Sequence, residues 1–216
     1  MNRRDFSRTA LTLAATGPML PEWALAQIRK PEEGNEYLKL ARRVPVEAPA
    51  GSIEVIDFFW YNCPHCNAFE PSLGAWHKRL PADVVLRRVP VGFRDEFVPQ
   101  QRLFFTLRSM GLVEKLHAKV FAAIHIERLD LTRGNAIANW IAQQGVDRAK
   151  FSAIYDSPEV TNLVGQATAL QDAYGVAGVP ALGIAGRFYT DGALSGSMAR
   201  VLQVVDYLIA DVRAGR

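Results

Sequence analysis

An apolar run that stops just short of a paired-cysteine motif dictates the centre of this fold. Ile53-Glu54-Val55-Ile56-Asp57-Phe58-Phe59-Trp60 is β-branched and aromatic, and nearly continuous in apolarity apart from its two acids. Such a run reads as a central strand buried on both faces, the kind found in a sheet with helices on either side. Tyr61-Asn62 ends it, and Cys63-Pro64-His65-Cys66 follows. Pro64 suits the first position of a helix, where its missing N–H would have no partner anyway. That helix is expected to continue through Phe69, Leu73, Trp76 and Leu80, bent at Pro71. Val84 to Val91 supplies a second strand, and the strand–helix–strand unit is expected to be parallel and right-handed.

The chain then turns helical. Apolar spacing predicts helices over 99–110, 112–126, 132–144, 147–155 and 158–174. Thr132 and Ser157-Pro158-Glu159 signal starts, and Gly111, Gly145 and Gly175 signal stops. Val179 to Ile184 and Arg187 to Thr190, parted by Ala185-Gly186, read as a hairpin. An amphipathic helix over 197–212, with Val201, Val204, Val205 and Leu208 on one face, closes the pattern. A short strand is expected around Tyr37 to Leu40. The order is that of an α/β, thioredoxin-like sheet carrying an inserted all-helical domain. The expected division is 27–92 with 167–216 for the sheet domain and 93–166 for the insertion.

Composition narrows the class. The chain has 216 residues, 49% hydrophobic and 22% charged, which is ordinary globular material. A net charge of +3 from 25 basic and 22 acidic residues is too even to suggest a nucleic-acid partner. Two cysteines exclude a disulfide-stapled scaffold and any four-cysteine metal or cluster site within one chain. Residues 1–26 read as an export signal: Arg3, Arg4 and Arg8, a broken apolar run from Thr9 to Leu20, then Ala24-Leu25-Ala26 as a cleavage pattern. The run is too short for a stable membrane anchor. Arg3-Arg4-Asp5-Phe6 partly resembles a twin-arginine signal. An exported bacterial protein meets an oxidising compartment, the periplasm, where disulfides persist.

Cys63 falls at a strand-to-helix junction, where free N–H groups and the helix dipole favour an anion and drive a thiol toward thiolate. Cys66 is one turn on, so the two sulfurs can meet, and the His65 imidazole can help stabilise the Cys63 thiolate. The expected arrangement is an exposed attacking sulfur with a resolving sulfur behind it. Stabilising the thiolate stabilises the reduced pair and makes its disulfide a stronger oxidant. Three other readings of the pair stand beside this one: a structural disulfide, half a metal site, or a reduced pair without a role. The remaining histidines, His77, His117 and His125, read as ordinary helical positions.

Cys63-Pro64-His65-Cys66 after an aromatic strand resembles the DsbA family of bacterial periplasmic disulfide oxidoreductases. A second match, Gly175-Val176-Ala177-Gly178-Val179-Pro180-Ala181, is similar to that family's G-V-x-G-V-P loop. The resemblance covers essentially all of the chain after the signal. It implies that Pro180 is cis and faces the active-site disulfide, leaving the Val179 backbone free to pair with an extended substrate; an ordinary trans proline opening a strand is the alternative. It also implies that Asp57 is a buried acid assisting proton transfer to the inner cysteine. The alternative is an aspartate that reaches solvent or pairs with a Lys or Arg. Here Asp stands where the enteric pattern has Glu. The family has an apolar groove beside the disulfide, for which Phe93 and Phe97 are candidates; Phe58, Phe59, Trp60 and Trp76 read as core.

The implied function is a dithiol oxidase with no cofactor beyond a Cys63–Cys66 disulfide. Its partners would be unfolded exported proteins and a DsbB-type membrane quinone-linked oxidase, and the chain is expected to be a monomer. One alternative is a disulfide isomerase or a reductase of cytochrome maturation. Isomerases of this compartment usually carry an N-terminal dimerisation domain, for which 27–52 leaves little room. Glutathione-dependent isomerases place a helical insertion similarly but lack the C-P-H-C pair. A Cu(I) carrier using the same cysteines is the non-enzymatic alternative; soft thiolates suit Cu(I), but no methionine cluster accompanies them.

Overall fold

The computed structural model describes residues 29–215. The export signal read at 1–26 lies outside them. The apolar run forms β2 (Ile53–Phe59), and every one of its residues is buried. On one side it pairs in parallel with β3 (Val84–Pro90), in register from Ile53↔Val84 to Phe59↔Pro90. On the other it pairs antiparallel with β4 (Ala181–Ile184). β4 continues antiparallel to β5 (Phe188–Asp191), which takes β1 (Leu38–Lys39) on its far edge. The order is β1-β5-β4-β2-β3.

The β4–β5 turn forms where Ala185-Gly186 predicts it. Both residues have positive φ, 53° and 66°, and Arg187 N–H bonds the Ile184 carbonyl at 2.9 Å. This is the mirror-type turn whose twist matches a hairpin. A Cβ on Gly186 would strike the Val44 backbone, because the lead-in segment docks here through Val44 N–H to Gly186 C=O at 2.8 Å.

Two apolar layers cover the sheet. On one face, α1 (Pro64–His77) contributes Leu73 and Trp76, and α8 (Met198–Arg213) contributes Val201, Val204, Val205 and Leu208. Trp76 Nε1–H donates to Asp206 at 2.7 Å, tying the two helices. On the other face lie α2 (Val98–Ser109), α3 (Val113–His125), α4 (Gly134–Gln143), α5 (Arg148–Tyr155) and α6 (Pro158–Tyr174). Their buried Leu103, Phe104, Leu116, Phe121, Ile137 and Ile141 join Phe58 and Phe59 in one cluster.

Helix ends fall where the local chemistry puts them. Gly111, Gly145 and Gly175 follow α2, α4 and α6 with φ of 68°, 78° and 65°, the left-handed region that stops a helix cheaply only at glycine. Ser157 caps α6 by accepting from Val160 N–H at 3.2 Å. Two elements lack a sequence signal: a 3-10 turn at Asp95–Phe97 and the one-turn α7 (Gly192–Ser195). Both are too short to show a period. α1 ends at His77 rather than Leu80, and β1 is shorter than expected, with both residues exposed.

Candidate active site

Cys63 is the N-cap residue of α1, with extended backbone angles, and Pro64 opens the helix as expected. No side chain caps this end, so the first-turn N–H groups face the Cys63 sulfur. The thiol is lowered from an ordinary 9.0 to about 6. The chief cause is a hydrogen bond from the Cys66 thiol, followed by the backbone N–H groups of Cys66 and His65, with the His65 charge a smaller contribution; burial opposes them. Cys66 moves the other way. It is raised well above an ordinary thiol by burial first, then by its hydrogen bond to Cys63 and the Cys63 charge, with Asp57 adding to the rise. Both cysteines are free thiols.

The expectation of an exposed attacking sulfur needs correcting. Cys63 is 8% exposed and Cys66 2%, while Pro64 and His65 stand out in solvent. Cys63 is covered because the second motif folds over it. The Val179–Pro180 peptide bond is cis, and the Cys63 thiol donates to the Val179 carbonyl at 3.5 Å. Val179 and Pro180 stand just before the β4 ladder, which starts at Ala181. A groove of about 480 Å³ opens beside them, lined by His65, Val179 and Pro180 together with Gly192, Gly196 and Met198. The wall after β5 has no linear motif, so sequence reasoning missed it. Phe93 and Phe97 do not line this groove: Phe97 stacks on Trp60 with ring centres 4.0 Å apart, and Phe93 packs edge-on against Phe97.

Asp57 sits in mid-strand, 1% exposed. Its carboxyl is pushed up to about 8, first by burial, then by the Glu70 charge, against the pull of Arg88. Arg88 Nε stands 3.8 Å from Asp57 Oδ2, and neither atom has a hydrogen-bond partner. The Arg88 guanidinium also reaches Glu70 at 3.4 Å. Glu70 meets His117 Nε2 at 3.3 Å, and His117 Nδ1 meets the Tyr61 hydroxyl at 2.9 Å. Burial raises Glu70, but the His117 hydrogen bond and the Arg88 charge outweigh it and leave its carboxyl below the usual value. Burial holds His117 below an ordinary imidazole. Sequence reading missed Glu70, Arg88 and His117, which come from three elements. His77 is exposed, and His125 bonds the Tyr61 carbonyl at 2.8 Å. Among the described residues, no cluster of three or more His, Cys, Asp or Glu is placed to hold a metal ion, and no helix is long and apolar enough to cross a membrane.

A low-pKa sulfur at a helix N-terminus, a high-pKa sulfur one turn behind it and a proline loop facing them define a class: thioredoxin-like proteins that perform thiol–disulfide exchange. A family model described as the DSBA-like thioredoxin domain matches residues 54–203. The thiol:disulfide interchange protein DsbA of Burkholderia cepacia is 39% identical over 190 residues, covering 88% of this chain and 90% of that protein. The crystal structure of Pseudomonas aeruginosa DsbA matches with a TM-score of 0.80 at 40% identity, covering 84% of this chain and 94% of that one. The oxidoreductase DsbA from Xylella fastidiosa matches with a TM-score of 0.80 at 30% identity, covering 86% and 99%. The chain belongs to the DSBA-like thioredoxin family.

Proposed function

We propose that this protein is a periplasmic dithiol oxidase that passes a Cys63–Cys66 disulfide to newly exported proteins. The observation that carries the direction of transfer is the opposite displacement of the two thiols: Cys63 falls to about 6 while Cys66 rises. A stabilised Cys63 thiolate favours the reduced enzyme, so the disulfide is given away readily.

A substrate thiolate attacks Cys63 Sγ of the disulfide. The Cys63–Cys66 bond breaks, a substrate–Cys63 bond forms, and Cys66 leaves with the electron pair. Buried Cys66 is a poor anion, so it takes a proton from Asp57, whose charge it feels. A second substrate thiolate attacks the substrate sulfur of the mixed disulfide and expels Cys63 as thiolate. The substrate dithiol loses two electrons and the enzyme gains them. Cys63, Cys66 and Asp57 act at the reacting atoms. Pro64 starts the helix that presents Cys63, and His65 adds positive charge beside it. Val179 and Pro180 hold the extended substrate by backbone pairing, which tolerates many sequences.

The exchange needs no cofactor beyond the cysteine pair. A DsbB-type membrane quinone-linked oxidase regenerates the disulfide. Residues 1–26 direct export, and the mature chain divides into a sheet domain (27–92 with 167–216) and a helical insertion (93–166).

The test is the redox equilibrium of the mature protein against glutathione, with Cys63→Ser as control. A potential well above that of thioredoxin, lost in the control, is expected. A potential near or below thioredoxin would overturn the oxidase assignment and leave the fold intact. Titrating the reduced protein with Cu(I) separates this activity from metal carriage.

A further inference from the structure

A buried carboxylate, Asp57, and a half-buried one, Glu70, share one arginine. Arg88 faces Asp57 at 3.8 Å and Glu70 at 3.4 Å, and its side chain is 15% exposed. One guanidinium cannot fully balance a buried anion and a half-buried one beside it, so the pair retains a proton near neutral pH. Which carboxyl holds that proton matters. Asp57 is near enough to Cys66 for its charge to raise that thiol, whereas Glu70, on α1, meets Arg88 and His117.

His117 breaks the tie. Tyr61 is fully buried, and its hydroxyl meets His117 Nδ1 at 2.9 Å. With this buried hydroxyl donating, Nδ1 accepts and the ring proton sits on Nε2. Nε2–H then donates to Glu70 Oε1 at 3.3 Å. Glu70 thus accepts from two donors, His117 and Arg88. Asp57 Oδ2 has no hydrogen-bond partner. A donor pair stabilises the anion, and a buried oxygen without one favours the acid. The charged and titratable groups facing His117 are Tyr61 from the turn after β2, Glu70 from α1, Arg88 from β3 and Glu114 on its own helix. The rest of its surroundings are aromatic: Phe59, Phe104 and Phe121.

We propose that His117 is a positioning residue for the disulfide chemistry: by donating to Glu70 it keeps Glu70 ionised and leaves the shared proton on Asp57, the acid assigned to protonate Cys66. The catalytic consequence rests on the proton-donor role assigned to Asp57; the placement of the proton does not. His117 touches neither sulfur nor substrate and acts through Glu70. Its ring orientation is set by Tyr61, two residues before Cys63.

The experiment is carbon-13 NMR titration of the folded, oxidised protein with labelled Asp and Glu side-chain carboxyls. In the wild type Asp57 should hold its proton to higher pH than Glu70. In His117→Phe, which keeps a ring but loses the donor, the proton moves toward Glu70 and the Asp57 midpoint falls by about one pH unit or more. His117→Gln retains an N–H and should keep the wild-type order. If His117→Phe does not fold, Glu70→Gln decides: without the competing charge the Asp57 midpoint should fall. A wild type in which Glu70 holds the proton, or an Asp57 midpoint unmoved in His117→Phe or Glu70→Gln, overturns the inference. Single-turnover oxidation of a dithiol peptide by Asp57→Asn separates the two claims. An unchanged rate across pH defeats the donor role of Asp57 and leaves the titration result to stand or fall alone.

Discussion

Cys63 shows how little chemistry separates an inert thiol from a reactive one. Its largest stabilisation comes from the sulfur it will later bond, since the Cys66 S–H donates to it, with two backbone N–H groups behind. Cys66→Ala removes that donor and leaves the helix end in place, so the Cys63 pKa should rise from about 6 by about one unit or more. Thiolate ultraviolet absorbance against pH reads this directly. An unmoved midpoint would assign the shift to the helix end alone. The residues of this site that lie in linear motifs were legible in the chain: Cys63, Pro64, His65 and Cys66 in one, Val179 and Pro180 in the other, with Asp57 conspicuous as an acid in an apolar strand. Glu70, Arg88 and His117 were not. Glu and Arg are ordinarily surface residues and His is of no fixed burial, and only tertiary packing brings α1, β3 and α3 together here. The degree to which Cys63 is covered was also illegible, because the covering carbonyl of Val179 comes from far along the chain.

At the scale of elements, α6 and β4 meet with no room to spare. A Cβ on Gly183, in the middle of β4, would run into the Tyr174 ring at the end of α6. Tyr174 cannot swing away easily, since its hydroxyl accepts from Gly186 N–H at 3.0 Å and its ring packs against Phe58. Gly183→Ala should therefore cost about 1–3 kcal/mol, as overpacking a well-filled core does. Urea denaturation measures it. Tyr174→Leu in the same background should recover part of the loss, and a Gly183→Ala protein as stable as wild type would show that the α6–β4 contact yields. The helices were legible because each carries its own period and stop, as Gly111, Gly145 and Gly175 illustrate. The sheet order was less so. That β1 pairs with β5, and that β4 rather than β1 lies beside β2, depends on contacts between distant segments. The groove wall after β5 was illegible for the same reason.

For the whole molecule, the redox state of one cysteine pair is tied to global stability. Any preference of the fold for the reduced pair over the disulfide must reappear as extra stability of the reduced protein. Two terms compete. Closing the short Cys63–Cys66 loop favours the oxidised protein by about 2 kcal/mol through chain entropy. Against it stands the Cys63 thiolate, whose pKa falls from 9.0 to about 6 on folding. A group depressed on folding contributes stability that is complete above its unfolded value and disappears as pH falls through its folded value. The window is therefore about pH 6 to 9, and only the reduced protein has this term. The Asp57 carboxyl is common to both forms, so its titration enters the difference only where the state of the cysteine pair changes it. The stability of the reduced protein minus that of the oxidised should thus climb with pH, by at most about 1.4 kcal/mol per unit and nearer 1 once solvent screening at the partly open site is allowed for. Below pH 6 the difference should level off. Urea unfolding with and without dithiothreitol at pH 5, 6, 7 and 8 would map it. A difference that stays flat from 6 to 8 would mean that the Cys63 thiolate does not power the oxidase, whatever its potential proves to be.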